Sequence, residues 1–169
     1  MSMAADNGFN MFIILSGTID NLRIQTQNRL LSDLNNEGSV IGWDCIDSTH
    51  LGSTKKLINL LLSNNRNERY FTVCLKNSVR LKKLLKWLRQ DNAKRSQLKI
   101  LVIDDEADQA GINTANISKN ERTAINKCIV NLVFNKNERG VDYATSYQCL
   151  NYIAYTATPY ANILNESPD

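Results

Sequence analysis

At 169 residues, 43% hydrophobic and 22% charged, the chain has the length and composition of one globular domain with a core of its own, which excludes a disordered tail or a string of domains. Twenty Lys and Arg against 17 Asp and Glu leave a formal charge of +3, an excess that permits nucleic acid as a partner without requiring it. No apolar stretch is long enough for a membrane span or a signal peptide, and Cys45, Cys74, Cys128 and Cys149 stand far apart with one histidine, His50, a spacing that argues against structural zinc and for reduced thiols in a cytoplasmic protein.

In chain order, Met11 to Leu15 is a continuous apolar run closed by Ser16-Gly17-Thr18, and Ile19, Leu22, Leu30, Leu31 and Leu34 mark a helix that Gly38 would stop. Val40 to Ile46 is expected to form a short strand, and Ser53 or Thr54 to cap a helix through about Leu62. Tyr70 to Leu75 is a second buried strand. Leu81, Leu84, Leu85 and Leu88 follow it at i, i+3, i+4 and i+7, a helix for which Asn77 or Ser78 is the cap. Lys99 to Ile103 is a third buried strand running into acidic residues, and a loop covers Gln109 to Ile117. Ser118 and Glu121 have capping-box spacing ahead of a helix with Ile125, Cys128, Ile129, Leu132 and Val133 on its apolar face. Leu150 to Tyr155 is the last strand, ending at Thr156-Ala157-Thr158-Pro159. Strands alternating with helices predict an α/β fold, a three-layer parallel sheet with strands ending at Ser16, Lys76, Asp104 and Thr156.

Ligands of open parallel sheets sit beyond the carboxyl ends of the strands, and three of these ends carry chemistry. Asp104-Asp105-Glu106-Ala107-Asp108 places four carboxylates in five positions directly after a buried strand. Their mutual repulsion calls for a cation. A Mg ion, held through one or two carboxylates and water, supplies one, and a neighbouring carboxylate can orient and deprotonate an attacking water. Asp105 suits the metal role and Glu106 the base, although such a cluster can also simply cap a helix or solvate a loop. Thr156-Ala157-Thr158 offers hydroxyls to the acidic loop, and Ser16-Gly17-Thr18 offers a helix N-terminus to a phosphate or to DNA, or forms only a cap and turn.

Asp105-Glu106-Ala107-Asp108 spells D-E-A-D and Thr156-Ala157-Thr158 matches S/T-A-T, so the chain resembles the RecA-like motor core of superfamily two helicases and translocases. It is more closely similar to the ATPase region of endonucleases that carry the Z-one domain, through Ser16-Gly17-Thr18, Asn21-Leu22-Arg23, Gln25-Thr26, Asp104 to Ala110, Asn113-Thr114 and Tyr155 to Leu164. That family is associated with bacterial restriction and defence. The resemblance implies ATP hydrolysis coupled to DNA handling, with Asp105 on Mg, Glu106 activating water, and Asp108, Thr156 and Thr158 coupling hydrolysis to domain movement. One departure is large: G-x-x-x-x-G-K-[ST], which cradles the phosphates, occurs nowhere, and Gly52-Ser53-Thr54-Lys55 lacks its order. In the family that loop precedes the strand matching Met11 to Leu15, and Ala4 to Phe9 is similar to the end of the helix leaving it. The chain is therefore expected to be a partial RecA-like lobe, residues 1–169. The phosphate-loop segment and the second lobe, source of an arginine finger, would be partners outside it, and the chain alone is expected neither to bind ATP tightly nor to hydrolyse it.

Other signals are weaker. Lys76, Arg80, Lys82, Lys83, Lys86 and Arg89 make one helix basic, a solvated face before it is a track for a phosphate backbone. His50 and Asp47 could form a dyad but lack a nucleophile at a recognisable spacing. Lys99 to Glu106 also resembles the opening strand and acidic pair of a phosphorelay receiver, yet Tyr152 to Pro159 offers no phospho-accepting aspartate at a later strand end. A nuclease would need a strand presenting Glu-x-Lys near the acids, which is missing. A non-catalytic module derived from such an ATPase, binding DNA or a protein, remains the alternative.

Overall fold

The computed structural model describes residues 1–35, 41–51, 68–107 and 124–156. They contain a sheet of five strands, β1 (Met11–Ser16), β2 (Gly42–Cys45), β3 (Glu68–Leu75), β4 (Lys99–Asp104) and β5 (Cys149–Ala154). All neighbours are parallel, in the order β2-β3-β1-β4-β5. The helices are α1 (Ser2–Asp6), α2 (Asp20–Leu34), α3 (Ser78–Leu88), α4 (Asn92–Arg95) and α5 (Ala124–Val133).

The central strands are apolar without alternation because both of their faces are covered, the usual condition of a parallel sheet. Met11, Ile13, Leu15, Cys74, Ile100 and Val102 face α3 and α5, meeting Leu81, Leu84, Leu85 and Leu88 from one helix and Cys128, Ile129 and Leu132 from the other. Phe12, Ile14, Phe71, Val73 and Leu101 form the opposite layer with Ala5 of α1, Trp43 of β2 and Leu30, Leu31 and Leu34 of α2. The Phe12 and Trp43 rings lie 5.0 Å apart at 57°, a tilted aromatic contact. The α/β architecture with a parallel sheet is thus the one expected.

Several local expectations change. The helix after β1 starts at Asp20, not Ile19, and packs through its C-terminal half. Ile19 and Leu22, read as part of an apolar stripe, are 57% and 40% exposed, while the buried residue of α2 is Arg23. Arg23 is accommodated by Asp20 Oδ1 at 2.7 Å and Gln27 Oε1 at 3.1 Å, so its charge is neutralised on its own helix. The strand expected over Val40 to Ile46 narrows to Gly42–Cys45. A short α4, capped by Asp91 Oδ1 on the Lys94 N–H at 3.0 Å, had no counterpart in the periodicity. Gly38, the helix from Ser53 or Thr54 to Leu62, Asp108, the loop Gln109 to Ile117, the Ser118–Glu121 box and Thr158 lie outside the described residues.

Candidate functional site

Parallel register brings the carboxyl ends of four strands level. Ser16 pairs with Leu75, Leu15 with Asp104, and Asp104 with Ala154, so the residues that follow, Gly17, Lys76, Asp105 and Tyr155, share one edge. At that edge the acidic turn is held from both sides. The Asp105 N–H donates to Leu15 O at 2.9 Å, extending the pairing with β1. Tyr155 N–H donates to Asp104 O at 2.8 Å, and Ala107 N–H donates to Tyr155 O at 2.8 Å. Asp105, Glu106, Thr156, Ser16 and Gly17 therefore come together around one turn, with Thr156 next in the chain to the residue that anchors it.

The centre of the edge is a buried charge pair. Lys76, the residue after β3, reaches across the end of β1 to Asp104 at the end of β4. Nζ stands 2.6 Å from Oδ1, and both side chains are essentially inaccessible. This is an ion-pair contact and not a well-aligned hydrogen bond. The same ammonium donates to the Glu106 carbonyl at 2.6 Å, and the other Asp104 oxygen accepts from the Tyr152 hydroxyl at 2.6 Å. Two charges are tolerated in a dry interior only when paired and hydrogen-bonded, a condition these contacts meet. Glu106 has φ of 55°, the left-handed region that costs a non-glycine residue about 1 kcal/mol or more. The hydrogen bond from Lys76 to its carbonyl helps to hold that conformation.

Sequence reasoning placed Lys76 in a solvated basic face and looked outside the chain for a cation to balance the acids. The structure corrects the first point, since Lys76 is 1% exposed, and it shows that one of the four acids, Asp104, has an internal cation. Tyr152 was also missed as a partner. The available signal was a lysine directly after the apolar run Phe71 to Leu75, where chain order alone cannot show that β4 lies two strands away. Arg89 departs from the solvated face as well, because its Nη2 donates to Asn131 O at 2.9 Å and Lys136 O at 2.6 Å at the end of α5. Lys82, Lys83 and Lys86 do lie exposed on α3.

With Asp104 committed to Lys76, the carboxylate presented to solvent is Asp105, and Glu106 is half-buried beside it. Among the described residues no three His, Cys, Asp or Glu side chains converge on one point. An exposed carboxylate at a strand end does fit Mg, which takes one or two carboxylates and completes its octahedron with water and phosphate oxygens.

At the end of β1, Ser16 is buried, its hydroxyl donating to Cys74 O at 3.4 Å, and the carbonyls of Ser16 and Gly17 both accept from Lys76 N–H at 3.2 Å. Thr18 is exposed. The N-terminus of α2 has no side-chain cap, but Asp20 stands in its first turn, and the hydrogen bond from Arg23 holds its carboxyl below the usual range. An incoming anion would meet that carboxylate. Further along the edge, Asp47 Oδ1 accepts from the Thr49 N–H at 2.8 Å and the Thr49 hydroxyl at 2.7 Å, and His50 Nδ1 lies 2.9 Å from Oδ2. Burial pushes the Asp47 carboxyl up, and these hydrogen bonds more than reverse it, leaving it lowered. The Asp47 and His50 pair is thus part of a four-residue turn. Burial pushes the Cys74 thiol up to about 12 and the half-buried Cys45 thiol up to about 11, so both are protonated at neutral pH.

Searches against protein-family models, curated proteins and solved structures return no significant match to this chain.

Proposed function

We propose that the carboxyl edge of the sheet is the Mg-and-water-handling half of a nucleoside triphosphatase site, carried on a RecA-like lobe of a cytoplasmic DNA motor of the kind found in restriction or defence endonucleases. The observation that carries this reading is the separation of duties in the acidic turn. Asp104 is withdrawn into a buried pair with Lys76, while the turn that carries Asp105 and Glu106 is held by the Asp105 N–H on Leu15 of β1 and the Ala107 N–H on Tyr155, the residue after β5. Asp105 would hold Mg, whose charge would offset that of the phosphates. Glu106 would orient and deprotonate the attacking water. Thr156, and with it Asp108 and Thr158, would couple the nucleotide state to movement of a second lobe.

This reading requires a phosphate-binding loop and a second RecA-like lobe, with its arginine finger, from outside the 169 residues. What supports the first requirement is that, among the described residues, β5 ends the strand order, with Tyr152 and Ile153 38% and 42% exposed. A strand at the end of a sheet is a template for another strand beside it. No helix among the described residues is long and apolar enough to cross a membrane.

The reading is tested by comparing the isolated chain with the longest native protein that contains it. The isolated chain should show no Mg-dependent ATP turnover. The longer protein should hydrolyse ATP, and Asp105→Asn in it should weaken Mg-dependent nucleotide binding. Turnover by the isolated chain that disappears in Glu106→Gln would overturn the assignment of the phosphate loop to another segment.

A further inference from the structure

Helices α3 and α5 lie side by side on one face of the sheet, and between them opens a groove of about 750 Å³. It is separate from the carboxyl edge and independent of the hydrolysis reading. Buried Leu85 and Cys128 line it together with exposed Ala124, and exposed Lys82, Lys86 and Lys127 stand around them. Lys82 and Lys86 are one helical turn apart, about 6 Å along the axis, and Lys127 approaches from the other helix. Glu138 is the one acid among the lining residues.

We propose that this groove binds an acidic amphipathic helix, which would set apolar side chains against Leu85, Ala124 and Cys128 and carboxylates against the three lysines. Charge complementarity selects an anion, and the mainly apolar wall selects one with an apolar face. A nucleic-acid backbone would satisfy the lysines but leave the apolar lining uncovered. Its bases would need an aromatic face to stack on, and Tyr143, the aromatic residue of the groove, already carries Arg89 at 4.4 Å and Arg95 at 5.0 Å from its ring centroid. Arg89 is further tied to the carbonyls of Asn131 and Lys136, so it stiffens the wall and leaves recognition to the lysines.

The experiment is fluorescence anisotropy on the 169-residue chain with a labelled peptide of about 18 residues, long enough to hold a helix, built from Glu, Ala and Leu with the leucines on one face. Saturable binding that weakens with added salt is expected. A scrambled peptide of the same composition should bind at least tenfold more weakly, as should single-stranded oligodeoxythymidylate. Reversing the exposed Lys82, Lys86 and Lys127 to Glu should cost at least tenfold with an unchanged circular dichroism spectrum. Equal binding of the scrambled peptide, tighter binding of the oligonucleotide, or no loss on lysine reversal would each overturn the proposal.

Discussion

Lys76 and Asp104 place two opposite charges in the interior of the molecule, where each depends on the other. Removing one partner of such a pair leaves an uncompensated buried charge and typically costs about 3–5 kcal/mol, whereas replacing both by apolar residues of similar volume is often neutral. Lys76→Met should therefore lower the unfolding free energy by about 3–5 kcal/mol in urea titration. Adding Asp104→Leu should restore most of that loss. A double variant as unstable as the sum of the single ones would show that the two side chains act separately. Tyr152→Phe leaves Asp104 one donor short and should cost about 1.5–3 kcal/mol, the range for a hydrogen bond to a charged group. None of this was legible in the chain order, where Lys76 opens a run of basic residues and Asp104 opens a run of acidic ones. Their meeting depends on β1 lying between β3 and β4, a relation that local pattern does not carry. Asp105 and Glu106 were legible as the polar residues following a buried strand, although the left-handed backbone at Glu106 has no signature in its residue type.

Among the elements, α3 shows how local pattern and tertiary contact divide the work. Its stripe of leucines and its cap are readable from spacing. Asn77 Oδ1 accepts from the N–H groups of Val79 at 2.9 Å and Arg80 at 3.3 Å, satisfying two donors that a helix start leaves open. Asn77→Ala should cost about 1 kcal/mol in thermal or urea unfolding, and Asn77→Asp should retain most of the stability. A loss well under half of that in the alanine variant would mean that packing alone sets the start of the helix. β1, β3 and β4 were equally readable, since strands covered on both faces become continuous apolar runs. The short elements were not. α4 has four residues and α1 five, too few for periodicity to register. At the start of α2, Ile19 just before the helix and Leu22 in its first turn are exposed, so a stripe drawn through them misplaces the buried face. The sheet settles this, because the C-terminal half of the helix packs against it while Arg23 is satisfied within the first turns.

For the molecule as a whole, the buried thiol of Cys74 and the half-buried thiol of Cys45 give stability a pH dependence of definite sign. Burial raises Cys74 from its ordinary value of 9.0 to about 12 and Cys45 to about 11. Below pH 9 both folded and unfolded chains keep these thiols protonated, and nothing is lost. Above it the unfolded chain ionises first, so stability falls as pH rises from 9 through about 12. The slope is up to about 1.4 kcal/mol per pH unit for Cys74, and smaller for half-buried Cys45, which solvent screens. Cys74→Ala should flatten that alkaline loss in urea titrations run at stepped pH, and an unchanged slope would place its origin elsewhere.

The larger architecture, a parallel α/β sheet with its acids at the carboxyl edge, was legible because strand and helix alternate along the chain. The hydrolytic role assigned to that edge is tested most directly by Mg-dependent ATP turnover in the longest native protein containing these residues, measured with nucleotide binding for the unaltered protein and for Glu106→Gln. The expected result is retained binding with turnover reduced about 100- to 10,000-fold, the usual contribution of a general base. Unchanged turnover in the variant, or an unaltered protein that hydrolyses no nucleotide, would contradict the assignment.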